Sequence, residues 1–469
     1  MKKKLKRVIC GVIAAAMLAS MTACFSDNKK ETFTEDKVVS DNRTQADWIK
    51  DAVIYEVNVR QYTDEGTFNA FSEHLQRLKD MGVNTLWFMP IYSISQVNKK
   101  GTLGSYYSIS DYMSVNSEFG TMEDFKNLVD KAHEMGFHVM LDWVANHTGW
   151  DHVWINEHPE YYKKDDSGNI ISPLGTDWND VAQLDYNNND MRQAMIDAMS
   201  YWVKDFKIDG FRCDYAQGVP VDFWESARTE LDKIKPIYML AEDGTNATSL
   251  LENAFDSDYN FALYDSLKTA SKMPAQAGNV MKAIKSDNLP YASFKMNFLD
   301  NHDKNTYDKE MKERFGDESL GALYTVAFTA YGVPLIYSGN EEDSDIALEF
   351  FEKDNIGFGD YKYQDLLTKL CHIKEDNEPL FNGIYGGLIR EIKSDNKSVV
   401  SYERVKNGKK ITVVVNLSKS EQKVKFDKKI SDGKILIHGD SKGMDDISGK
   451  LNVKDLNKLS PWEYYIIAS

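Results

Sequence analysis

The sequence predicts an α/β protein: a (β/α)8 TIM barrel with a short insert after its third strand and a C-terminal β-sandwich domain. Three observations predict it. Short apolar runs alternate with amphipathic helical patterns, the rhythm of parallel βαβ units. Four of these runs end in polar groups: Asp142 to Asn146-His147, Arg212 to Asp214, Glu242, and Asp300-Asn301-His302-Asp303. In a barrel, chemistry collects at the C-terminal ends of the strands. After Gly383 the helical pattern stops and β-like runs with short polar links replace it.

The elements follow in order. Residues 52–59 alternate well enough for a first strand. Residues 68–81 have helical spacing through Phe71, Leu75 and Leu78, with Gly82 as the stop. Residues 84–89 form a second strand closed by Pro90. Thr121 and Asp124 make a capping-box start for a helix over 121–135, and Gly136 ends it. The third strand covers 137–144. Residues 147–185, rich in Trp, Asp, Asn, Pro and Gly, then break the rhythm before a helix over 190–206. Strand four covers 208–214, with Pro220 near the first position of the next helix. Strand five covers 237–242, strand six is placed at 256–261, strand seven at 294–299 and strand eight at 333–337. A helix over 363–375 closes the barrel. Residues 398–403, 410–417, 421–426 and 463–467 read as strands of the last domain. The domains are therefore a barrel over 47–383, including the insert, and a β domain over 384–469.

The N-terminus carries a different signal. Residues 2–7 include five Lys/Arg, and an apolar stretch over 8–19 follows. This is the layout of a secretory signal, and the apolar run is short for a membrane span. Met21-Thr22-Ala23-Cys24 resembles a bacterial lipoprotein cleavage site, with residues 1–24 as the signal and Cys24 as the lipidated residue. Residues 25–46 are polar and aperiodic, a tether from membrane to domain. The expected location is extracytoplasmic, anchored to the cell membrane through lipid. The formal net charge of −17 would fall to −22 once residues 1–23, with five cations and no acid, are removed. A chain this acidic is a poor partner for nucleic acid. Of four cysteines only Cys213 and Cys371 fall in the folded part, and both are expected as free buried thiols.

Arg212 and Asp214 stand two residues apart on one strand, so their side chains point the same way. A guanidinium beside a carboxylate keeps it ionised and oriented. A buried ion pair that only holds the barrel together would explain this pair alone. The other three strand ends add Asp142, Glu242 and Asp303, and two carboxylates flanking one bond are what glycosidic cleavage requires.

The four segments, in this order, resemble the motif regions of the alpha-amylase family (glycoside hydrolase family 13). The resemblance implies Asp214 as nucleophile and Glu242 as general acid/base, against a bland reading of Glu242 as a helix cap. Partial desolvation at the strand end would raise the Glu242 pKa. It implies His302 and Asp303 as holders of sugar hydroxyls, with bonds that strengthen as the oxocarbenium forms. His147 corresponds to another sugar-binding position, and Asp142 to a supporting one. Tyr107, four residues before Asp111, corresponds to a tyrosine stacked on the sugar, with Tyr106 competing for that role. Trp143, Trp150, Trp154 and Trp178 belong either to the cleft or to the core. The insert over 147–185 corresponds to domain B, here short.

Calcium is the implied cofactor. Asn146 corresponds to a calcium ligand in many family members, which also use a histidine four residues after the nucleophile. Gly218 stands there instead, leaving Asp177 or Asp180 as replacement ligands, and activity is expected to survive chelation. The implied reaction is retaining hydrolysis of α-1,4-glucosidic bonds in starch or maltooligosaccharides. The alternatives are an α-1,6-acting oligosaccharidase, a neopullulanase or cyclodextrinase, a glucan transglycosylase, and a non-enzymatic surface glucan-binding lipoprotein.

Overall fold

Eight parallel strands close on themselves: β1 (Ile54–Val57), β2 (Thr85–Phe88), β3 (His138–Trp143), β4 (Gly210–Cys213), β5 (Tyr238–Ala241), β6 (Ser257–Tyr259), β7 (Phe294–Asn297) and β8 (Gly332–Tyr337). Each strand pairs with its sequence neighbours, and β1 pairs with β8. The computed structural model describes residues 43–245, 248–285, 289–342, 346–445 and 456–469. The signal, Cys24 and residues 25–42 of the tether lie outside the described residues.

Most predicted elements appear, with ends shifted by up to about three residues from the pattern that announced them. The capping box forms at Thr121 and Asp124 and starts the helix Met122–Glu134. Gly136 follows at φ +82°. Several readings need correction. The tether expected over 25–46 ends early, because Arg43 and Ala46 are buried and Thr44 and Gln45 bond Asp232 and the Ala292 carbonyl of the barrel. The helix expected over 68–81 is two helices, Phe68–Ser72 and Leu75–Asp80. Pro220 is the cap before the helix Val221–Asp232, not its first residue. β6 is only three residues long, because Asn260 caps the helix Phe261–Lys272 by accepting from the Leu263 N–H.

Two excursions rise beyond β2 and β3. Ser93–Ile94 pairs with Ile109–Asp111, a ribbon the sequence pattern did not announce. Within 147–185, His147–Gly149 pairs antiparallel with Val181–Gln183, in the register His147 to Gln183. The insert is thus stitched to the chain directly after β3.

The C-terminal part contains a six-stranded antiparallel sheet. It uses β9 (Ile389–Glu391), β10 (Val399–Lys406), β11 (Lys409–Asn416), β12 (Lys434–Asp440) and β13 (Tyr464–Ala468), with Gly443–Met444 at its edge. Alternation gives it two apolar faces. Val414, Tyr465 and Ile467 point into a small cluster with Val424, Leu456 and Leu459, under a two-stranded ladder of Gln422–Lys423 and Lys458–Leu459. Val413, Val415 and Ile466 point the other way and join the barrel core. The second layer of this sandwich is therefore minimal: only two residues of the expected strand over 421–426 pair, and β12 was missed. The sheet meets the helix Leu320–Thr329, buried at nine of its ten residues. Such a helix is apolar all round because both its sides are covered. Gly321 is required there, since a Cβ would lie 2.8 Å from the Tyr464 ring.

Candidate active site

Arg212 is the hub of the C-terminal mouth of the barrel. In-register pairing puts it beside Asp142 of β3, and strand alternation turns both inward. Its Nη1 donates to Asp142 Oδ1 and to Asp214 Oδ1, each at 2.9 Å. Its Nη2 makes an ion-pair contact with Glu242 Oε2 at 3.0 Å, and its Nε donates to the Tyr259 hydroxyl at 3.1 Å. The rings of Trp87, Tyr107 and Tyr259 pack around the guanidinium. Arg212 is fully buried, whereas the Asp214 and Glu242 side chains are 13% and 20% exposed. The charge is thus covered from below, and two carboxylates held on one guanidinium face the solvent.

Backbone geometry fixes this pair further. Tyr215, directly after Asp214, sits in the left-handed region at φ 42°, ψ 46°. This conformation is costly for a residue with a side chain and collects at functional sites. It turns the Tyr215 N–H onto Glu242 Oε2 at 2.9 Å, while the Glu242 N–H donates to the Cys213 carbonyl at 3.0 Å. Glu242 caps nothing: the next helix begins at Ser249. The carboxyl pushed well up is Asp214. Burial is the largest cause, Arg212 opposes it, and Glu242, Asp142 and Asp303 add to it.

Asp142 is fully buried beneath the cleft. Its Oδ2 accepts from Trp87 Nε1 at 3.2 Å and from the Tyr107 hydroxyl at 3.1 Å. The Tyr107 hydroxyl also meets His302 Nε2 at 2.8 Å. His302 Nδ1 reaches Glu56 Oε1 of β1 at 2.5 Å, and Asp303 lies 3.6 Å from His302 Nε2. Burial works against a charge on His302, but Asp303 and Glu56 overcome it and lift the imidazole to about 9. The protonated ring gives a consistent chain of donors, His302 to Glu56 on one side and His302 to Tyr107 to Asp142 on the other. Asp303, 39% exposed, is the outermost acid of the set.

Tyr107 therefore belongs to the site and Tyr106 does not. Tyr106 is buried, its hydroxyl donates to Asn58, and Arg60 covers its ring. His147 is buried and burial lowers it to about 4, so it is neutral at pH 7. Its ring lies 5.5 Å from Trp178, which meets Tyr215 at 5.4 Å. Among the tryptophans, Trp178 flanks the site and Trp143 is core. Trp154 packs on Tyr112 and Tyr161, and Trp150 bonds the Asn179 carbonyl. The expected free buried thiols are found at Cys213 and Cys371, and burial pushes both up. Sequence reasoning missed Glu56 and Tyr259. An acid in a strand buried at every residue was the available signal for Glu56.

The residues around Asn146 do not fit calcium. The Gln183 amide Nε2 donates to the Asn146 carbonyl at 2.9 Å and to Asn146 Oδ1 at 3.1 Å. A donor thus stands where a cation would sit. A Cβ on Gly218 would lie 2.3 Å from the Tyr215 ring and 3.1 Å from Asn146 Oδ1. Asp180 is paired with Lys100 at 3.1 Å, and Asp177 is exposed. Among the described residues, no group of three or more His, Cys, Asp or Glu side chains could hold a metal.

Comparison with known proteins gives a consistent picture. The family model for the alpha amylase catalytic domain matches residues 22–169 and 174–355. Alpha-amylase 3 of Dictyoglomus thermophilum is 26% identical, over 83% of this chain and 89% of that protein. The solved structure of an alpha-amylase from Lactobacillus plantarum is 31% identical with a TM-score of 0.76, covering 90% of this chain and 99% of that one. The noncanonic maltogenic alpha-amylase AmyB from Thermotoga neapolitana is 30% identical with a TM-score of 0.74, over 90% and 97% of the two chains.

Proposed function

Because the chain belongs to the alpha-amylase family of glycosidases, we propose that it hydrolyses α-1,4-glucosidic bonds in starch or maltooligosaccharides with retention of configuration. The observation that carries this is the pair Asp214 and Glu242, gripped by one buried guanidinium at 2.9 and 3.0 Å and open to solvent. Retention requires the two carboxyls about 5–5.5 Å apart, and a shared guanidinium holds them close.

The chemistry starts with one proton shared between the two carboxyls. The Asp214 carboxylate attacks the anomeric carbon. Glu242 gives its proton to the glycosidic oxygen, and the aglycone leaves as an alcohol. Ionised Glu242 then takes a proton from water, whose oxygen displaces Asp214 and frees the sugar. Arg212 offsets the charge on Asp214 before attack. The imidazolium of His302 and the Asp303 carboxylate bind the hydroxyls of the same sugar ring, contacts that tighten as the ring flattens. The same glycosyl ester could be captured by a sugar hydroxyl, and similarity to a maltosyltransferase of Picrophilus torridus, 25% identical over 75% of this chain, supports that second outcome. The placement follows from residues 1–24: an extracytoplasmic protein held to the membrane by lipid on Cys24.

Product analysis on starch, pullulan, isomaltose and cyclodextrin tests the reading. Short maltooligosaccharides from starch are expected. Release from isomaltose alone, longer transfer products, or no reducing sugar from any of the four would move the assignment to the α-1,6, transferase or binding-protein reading respectively.

A further inference from the structure

Gln183 is placed by the insert and acts on the barrel. Its backbone pairs with His147, and its N–H and carbonyl bond Ile171 and Lys163. Its side-chain amide turns inward onto three oxygens: the Asn146 carbonyl at 2.9 Å, Asn146 Oδ1 at 3.1 Å and the Leu184 carbonyl at 3.3 Å. These are hydrogen-bond separations, longer than the 2.3–2.6 Å of calcium–oxygen contacts. The Gln183 amide is buried with its acceptors; the Asn146 carbonyl also accepts from the Leu184 N–H at 3.3 Å, but Asn146 Oδ1 would lose its donor. The consequence reaches the cleft. Asn146 Nδ2 lies 3.1 Å from His147 Nδ1. The neutral His147 ring accepts there, which fixes both the Asn146 amide and the ring plane beside Trp178. A continuous line of contacts runs from the insert through Gln183 and Asn146 to His147.

We propose that the Gln183 carboxamide is a built-in replacement for a divalent cation. With two N–H donors it neutralises the three converging oxygens, ties the insert to the end of β3 and so positions His147. Gln183 is a positioning residue, because its side chain reaches His147 through Asn146. Its role does not depend on which glucan is cleaved. Three oxygens without charge fall short of a calcium shell, and a carboxylate at 183 would add both negative charge and two further oxygens, with water to complete the coordination.

Thermal melts of the full chain in chelator and in 1 mM calcium test this, on the wild type, Gln183→Glu and Gln183→Leu. The wild-type midpoint is expected to be the same in both buffers. Gln183→Glu should melt lower in chelator and recover reversibly with calcium by about 1.5 °C, the shift for an ion present at roughly ten times its Kd in a chain of this length. Gln183→Leu, which keeps volume and drops both donors, should raise KM for maltooligosaccharides more than it lowers kcat, with no effect of calcium. A calcium-dependent rise in the wild type would overturn the proposal. So would a folded Gln183→Glu indifferent to calcium, or a Gln183→Leu with wild-type midpoint and KM. If Gln183→Glu does not fold, the wild-type and Leu arms still decide.

Discussion

Glu56→Gln separates charge from shape at the second ring of the site. The carboxamide oxygen can still accept the His302 Nδ1–H, so the 2.5 Å contact has a neutral counterpart. What disappears is the charge opposite the imidazolium. His302 is lifted from 6.5 to about 9, against burial, by Asp303 and Glu56. That lift corresponds to roughly 3 kcal/mol in favour of the charged ring. Asp303 is the larger of the two raising charges, so part of the lift survives the loss of the Glu56 charge. Removing it brings the His302 titration down from about 9. The assay is kcat/KM on a maltooligosaccharide from pH 6 to 8.5. Near pH 6 both proteins keep the imidazolium and the variant should lose little. Near pH 8.5 more of the variant ring than of the wild-type ring is neutral, and the ratio of variant to wild type should fall, by up to about tenfold. The stability sign agrees. A raised histidine contributes fully below about 6.5 and loses its contribution as pH rises through about 9. The alkaline fall in melting temperature should therefore start lower in the variant. A ratio of kcat/KM independent of pH would refute the charge argument and leave Glu56 a packing residue.

Three further outcomes are expected. Asp214→Asn should abolish turnover while keeping the fold and glucan binding, and residual activity in a pure sample would place the nucleophile elsewhere. Asp209, at the opposite end of β4, accepts from His133, Lys235 and the Val139 N–H, and these partners hold its carboxyl far below the usual range despite burial. A depressed acid stabilises above its unfolded value near 4 and loses that contribution as pH falls below it. Asp209→Asn should thus cost on the order of 2–3 kcal/mol at pH 7 and nothing at low pH, read from chemical melts across that range. Cys24→Ser should release the protein from the membrane fraction or block processing, and unchanged partitioning would discard the lipid anchor.

The catalytic pair and its neighbours were legible because the barrel makes them conspicuous. Arg212, Asp142 and Glu242 are charges within or directly after strands whose other residues are buried, and such charges need partners. Glu56 carries the same signature on β1, but the polar residue that follows it at the strand end is the uncharged Asn58, which adds no second carboxylate. Asp209 and Asp214 share one motif yet serve opposite ends of a strand, which spacing alone does not reveal. β6 was blurred because Asp256 and Asp258 are spent outside the barrel on Arg228 and Lys295. β12 hid behind Lys434, His438 and Asp440, which break the apolar alternation. Gln183 gave no warning at all: an uncharged amide becomes informative only once its three acceptors converge on it.

The central claim is that Asp214 forms the covalent glycosyl ester. An activated fluoro-sugar whose ester hydrolyses slowly should trap it, and peptide mass mapping locates the label. The account predicts one sugar per chain, on the peptide containing Asp214, with activity lost in proportion. A label on any other carboxylate, or turnover of the reagent with no labelled protein at any time, would contradict it.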